Sequence, residues 1–182
     1  MKSIGRVVLR PPEHEDGQAL WELIRRSPPL DLNSIYCYHL LSRHFRQTCV
    51  VAEVAGCLMG CLTAYLRPDA PETLFVWQMA VRDDCRGRGV AGRMLESLLE
   101  RPICRDVHYL ETTVGPTNLA SRHCFERLAK NRNCPIRTLP FLNETHFGSD
   151  AQHEAEALLR IGPFPPLNPA SAIPEGTPNG NL

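Results

Sequence analysis

Val76-Trp77-Gln78-Met79-Ala80-Val81-Arg82-Asp83-Asp84-Cys85-Arg86-Gly87-Arg88-Gly89-Val90-Ala91-Gly92-Arg93-Met94-Leu95 reads as a strand that feeds a glycine-rich turn, and the turn opens a helix. Glycines at 87 and 89 let a ligand approach the backbone closely. The free N–H groups of a helix start carry roughly half a positive charge between them and favour phosphate oxygens. Arg86 and Arg88 add fixed charge, which makes the segment a candidate anion cradle. Two common cradles are excluded: there is no Gly-Lys-Ser/Thr of a P-loop, and no G-x-G-x-x-G followed by the acidic residue of a dinucleotide site. A flexible turn with solvated arginines would give the same short pattern, so its surroundings must decide.

Upstream, Thr73 to Val81 reads as a central strand, with Leu74, Val76, Gln78 and Ala80 alternating against Phe75, Trp77, Met79 and Val81. Before it, Thr48 to Glu53 and Cys57 to Arg67 flank Val54-Ala55-Gly56 as a hairpin, and Pro68 to Pro71 is expected to be a loop. Val7 to Arg10 forms a first strand. A helix opens at Asp16 with Leu20, Leu23 and Ile24 on one face, and Pro28 and Pro29 stop it. Ser34 can cap a second helix running to about Phe45.

Downstream, Gly89 to Arg101 places Val90, Met94, Leu95 and Leu98 on one side of a helix that Pro102 terminates. Val107 to Thr113 is a strand, a helix with Leu119, Cys124, Phe125 and Leu128 follows Pro116-Thr117, and Ala157 to Ile161 is a last strand. Asn133 to Asp150 has poor periodicity and reads as loop. Antiparallel strands followed by two strand-to-helix crossovers indicate an α/β sheet with helices on both faces.

The 182 residues carry 20 basic and 20 acidic side chains, a balance with no footprint for nucleic acid or an anionic membrane surface. A single domain is expected over residues 1–164, with a proline-rich and poorly ordered tail over 165–182. A chain of this length buries enough surface to need neither disulfides nor a structural metal. Its eight cysteines are scattered without a C-x-x-C pair, which reads as reduced thiols among apolar residues and no zinc. No secretory signal and no apolar run of membrane-spanning length is visible, so the cytoplasm is expected.

Arg86-Gly87-Arg88-Gly89-Val90-Ala91, directly after a central strand, resembles the Q/R-x-x-G-x-G/A segment of the GNAT superfamily of acyl-CoA-dependent N-acetyltransferases, and the element order resembles theirs too. Four more segments are similar to the diaminobutyrate acetyltransferases of ectoine synthesis. They are Asp31 to Tyr38, Phe75 to Gln78, Thr112 to Asn118, and His153 to Glu156 before Leu159-Arg160-Ile161-Gly162-Pro163. The likeness covers about residues 7–163. It departs at Thr113-Val114-Gly115-Pro116-Thr117-Asn118, where family members usually read T-V-T-P-S-N, and in the high cysteine content.

The resemblance implies a GNAT fold, with a mixed, mostly antiparallel central sheet flanked by helices on both faces. It also implies transfer of acetyl from acetyl-CoA, without a metal, to the 4-amino group of L-2,4-diaminobutyrate, and a homodimer. Coenzyme contacts would come from Met79, Val81, Arg86, Gly87, Arg88, Gly89, Ala91, Gly92 and Asn118. The diamine pocket would draw on Asp31, Asn33, Tyr36, Trp77, His153 and Glu156. Only the neutral amine attacks a thioester, and its pKa lies near ~10.4, so a proton must leave. Glu156, directly or through water, is the first candidate base and His153 the second.

Phe125 stands where the superfamily commonly has a tyrosine that protonates the departing thiolate. Either the thiolate leaves unaided or another donor such as Tyr36 serves. Blander roles compete: Asp31 suits a turn, Tyr36 an exposed helix face, Trp77 a core strand, and His153 and Glu156 a solvated strand edge. A GNAT for another small amine and a non-catalytic acyl-CoA-binding module are the other functions these residues allow.

Overall fold

The computed structural model describes residues 5–147 and 155–165. Within these residues seven strands form one sheet: β1 (Val8–Arg10), β2 (Val50–Val54), β3 (Cys57–Arg67), β4 (Ala70–Val81), β5 (Tyr109–Val114), β6 (Ile136–Leu142) and β7 (Glu156–Ile161), in the order β1-β2-β3-β4-β5-β7-β6. Four α-helices accompany it among the described residues: α1 (Gly17–Arg25), α2 (Ile35–His44), α3 (Val90–Leu99) and α4 (Leu119–Asn131). Ser34 caps α2 by accepting from the Cys37 N–H at 3.3 Å, and a two-residue turn at Ala55-Gly56 closes β2 onto β3. Every pairing is antiparallel except β4 with β5. A mixed sheet is thus what the α3 crossover requires, because only a crossover returns a chain parallel to itself.

The sheet buries both faces. Val50, Ala52, Leu62, Leu74 and Val76 pack with Met94, Leu95 and Leu98 of α3 and Phe125 and Leu128 of α4. Val51, Cys61 and Ala80 pack on the other face with Leu20, Leu23 and Ile24 of α1 and Tyr38 and Leu41 of α2. The apolar helix positions legible at a 3.6-residue period are the ones buried.

Four expectations need correction. The strict alternation along β4 breaks: Thr63 pairs with Gln78 and Ala64 with Val76, which leaves Trp77 as the extra residue of a bulge. Leu74 and Val76 therefore share a face with Met79 and Val81, while Ala80 lies on the opposite one. Ala70 and Pro71 belong to β4, and the turn is only Pro68-Asp69. Within the supposed loop 133–150 lies β6, an edge strand that is exposed from Arg137 to Phe141 and irregular at Pro140, so no alternation marks it in the sequence. The second crossover does not land beside β5, because α4 leads to β6 and β7 is inserted between them. The 166–182 part of the expected tail lies outside the described residues.

Candidate active site

The start of α3 has no side-chain cap. Its N-cap is Gly89 at φ 73°, a left-handed conformation that a Cβ disfavours. The first helical hydrogen bond runs from the Arg93 N–H to the Gly89 carbonyl at 3.0 Å, so the N–H groups of Val90, Ala91 and Gly92 have no acceptor within the helix. A Cβ placed on Gly87, Gly89 or Gly92 would meet nothing within 4 Å, which means the space in front of these amides is open.

That space is a cavity of about 1120 Å³, lined by Met79 to Val81, Cys85 to Gly87, Gly89 to Arg93, residues of α4 from Asn118 onward, and Ser27 to Leu30. Arg86 lines it while fixing the end of β4, with Nε donating to the Val81 carbonyl at 3.1 Å and a 3.0 Å ion pair to Asp83. Asn118 lines it too, and its Oδ1 accepts from the Ser121 N–H at 3.2 Å to cap α4. Arg88 is exposed and is not part of the lining. Cys85 and Cys124 line the cavity, but burial pushes both thiols up, so neither is a ready thiolate nucleophile.

Beside the cavity the sheet opens. The β4–β5 register stops at Val76 opposite Thr112. The Arg82 N–H donates to the Met59 carbonyl of the β3 side at 2.8 Å. Alternation then turns the Ala80 N–H toward β3, and the N–H groups of Met79 and Val81 toward the gap. Two amides facing a cavity beside an uncapped helix can bind a carbonyl oxygen and polarise it.

Of the expected diamine residues, the structure ties Asp31 and Asn33 to β4 on the side where α1 and α2 pack, and Trp77 and Glu156 stand on separate strands. Trp77 is 40% exposed, which removes a plain core role. Glu156 is half-buried at the start of β7, one residue before the Ala157–Val114 pair. By alternation from Leu159 and Ile161, which face α3 and α4, Glu156 lies on the opposite face of β7. Asp31 and Asn33 precede α2, and Tyr36 in its first turn is 68% exposed. None of these five borders the cavity. His153 lies outside the described residues. Phe125 is 2% exposed within the α3/α4 core and does not reach the cavity wall.

Sequence reasoning missed the residues that hold Asp31 and Asn33 in place. Gln78 Nε2 donates to the Asp31 carbonyl at 2.6 Å, and Tyr38 Oη donates to Gln78 Oε1 at 3.1 Å and accepts from the Asn33 N–H at 3.3 Å. Burial pushes the Tyr38 phenol up, which keeps it a donor. A glutamine inside an apolar central strand was the available signal, since a buried amide must find partners.

Comparison with known proteins agrees with this geometry. Residues 17–129 match the family model described as "Acetyltransferase (GNAT) family". A protein of Bordetella parapertussis called L-2,4-diaminobutyric acid acetyltransferase is 50% identical over 87% of this chain and 86% of its own. One of Marinococcus halophilus with the same description is 43% identical over 89% and 93%. Among solved structures, diaminobutyrate acetyltransferase EctA from Paenibacillus lautus, in complex with L-2,4-diaminobutyric acid and coenzyme A, superposes with a TM-score of 0.86 at 44% identity, covering 88% of this chain and 96% of that one.

Proposed function

The chain belongs to the GNAT acetyltransferase family, and from that premise we propose that it transfers the acetyl group of acetyl-CoA to the 4-amino group of L-2,4-diaminobutyrate. The product is N4-acetyl-L-2,4-diaminobutyrate, a precursor of ectoine, which as a compatible solute answers osmotic stress. One observation carries the reading: the uncapped amides of α3 and the free stretch of β4 line a single cavity.

The N–H groups of Val90, Ala91 and Gly92 hold the coenzyme diphosphate, with Gly87 and Gly89 giving it room. Met79 and Val81 donate to the thioester oxygen as negative charge develops there. Asp31, Asn33, Tyr36 and Trp77 bind the diamine, and Glu156 removes a proton from its 4-ammonium, with His153 as the second candidate. The neutral amine attacks the thioester carbon, the carbon–sulfur bond breaks and the thiolate leaves, while the nitrogen gives up its second proton to water to become the amide. Phe125 cannot protonate it. The raised thiols of Cys85 and Cys124 support direct transfer over an acyl-enzyme.

The enzyme works in the reducing cytoplasm, consistent with eight free cysteines, and as a homodimer. No described helix is long and apolar enough to cross a membrane.

The test is thiol release from acetyl-CoA with diaminobutyrate, ornithine, lysine or no amine, with the product identified by NMR. Selective turnover of diaminobutyrate at N4 is expected. Preference for another amine makes the chain a different GNAT, and coenzyme A binding without turnover makes it a binding module.

A further inference from the structure

Gln78 follows the bulge residue Trp77 on β4 and is 4% exposed. On the backbone side, its N–H donates to Thr63 Oγ1 at 3.1 Å, and the Thr63 hydroxyl donates back to the Gln78 carbonyl at 3.4 Å. That exchange replaces part of the ladder the bulge interrupts. On the side-chain side, Gln78 reaches Tyr38 and the Asp31 carbonyl, and Tyr38 reaches Asn33. Thr63 and Tyr38 are buried as well. A buried amide costs free energy unless it is fully bonded. What it supplies that an apolar side chain would not is direction.

The two ends of this network serve different substrates. One end sits beside Met79, whose N–H faces the gap, and the other holds the segment that binds the diamine. Diaminobutyrate carries two amines four bonds apart, so acetylation at one of them demands a fixed offset between these ends. We propose that Gln78, together with Tyr38, is a positioning residue that sets the Asp31–Asn33 segment against β4 and so decides which amine meets the acetyl group. This rests on the function proposed above.

Gln78→Glu keeps the side-chain shape, removes the donor to Asp31 and sets a carboxylate against its carbonyl. Tyr38→Phe deletes one oxygen and cuts both the Gln78 and Asn33 bonds. Each variant is assayed beside wild type for KM of both substrates, melting temperature, and the ratio of N4- to N2-acetylated product by NMR. Both should raise KM for diaminobutyrate ~10-fold, the scale of one hydrogen bond lost from the segment that binds it. KM for acetyl-CoA should hold within about twofold, and N2 product should appear.

A merely structural role would lower the melting temperature and leave the KM ratio and product ratio at wild-type values, which would overturn the inference. If Gln78→Glu does not fold, Tyr38→Phe decides alone by the same readings. A wild type that fails to acetylate diaminobutyrate takes down the function and this inference together. A wild type that succeeds beside unchanged variants takes down the inference alone.

Discussion

Diaminobutyrate in neutral water presents two ammonium groups, neither of which can attack a thioester, so an acceptor-side residue matters through what it does to a proton. Glu156, half-buried at the start of β7, is the carboxylate proposed for this. A carboxylate beside an ammonium also raises the amine pKa, which would leave proton removal to water. The two roles separate in one experiment. Glu156→Gln should cut kcat at neutral pH at least tenfold, as loss of a general base costs ~10² or more. If Glu156 is the base, part of that loss returns as pH approaches the amine's own ~10.4, where a neutral nitrogen needs no help. If it only holds the ammonium, high pH restores nothing. Near-normal kcat at neutral pH would strike Glu156 from the mechanism.

At the scale of elements, the sheet consists of two parts, β1 to β4 and β5 to β7, joined by only four register pairs from Thr73–Tyr109 to Val76–Thr112. So short a joint leaves the gap that the chemistry uses, and it calls for reinforcement. Glu111 of β5, 1% exposed, accepts from Arg67 of β3 at 2.8 Å and from Arg160 of β7 at 2.6 Å, while Arg160 stacks 3.9 Å over the Tyr109 ring. Three strands are thereby pinned across the joint. Glu111→Gln should lower unfolding free energy by about 3 kcal/mol in urea melts, the low end for a broken buried pair because each arginine side chain keeps 30% of its surface in water. A loss under about 0.5 kcal/mol would mean the cluster is ornamental. None of this was legible in the sequence, where Glu111 is one acid between Leu110 and Thr112. The α3 core and its glycine-rich start were legible because their signals are local: a 3.6-residue period and a turn before a helix. The bulge at Trp77, the edge strand β6, and the tie from Gln78 to Tyr38, 40 residues apart, depend on pairings that no short window contains.

For the molecule as a whole, the unsatisfied feature is the sheet edge. Among the described residues β6 is the last strand in the order and pairs only with β7, and it exposes Leu139 at 38% and Phe141 at 49%. An exposed apolar edge is an aggregation hazard unless something covers it. A formal net charge of zero sets up no repulsion between copies. A second copy is therefore the occupant we expect, and the register makes the consequence local to the acceptor side: Leu142 of β6 pairs with Glu156 of β7. Sedimentation equilibrium should give twice the chain mass for wild type and the single-chain mass for Leu139→Glu/Phe141→Glu. The monomeric variant should lose affinity for diaminobutyrate before it loses affinity for acetyl-CoA, whose cradle lies at the opposite helix layer. A wild type sedimenting as one chain would end the dimer. A double variant that stays dimeric would remove β6 from the interface, and the edge would then need another cover.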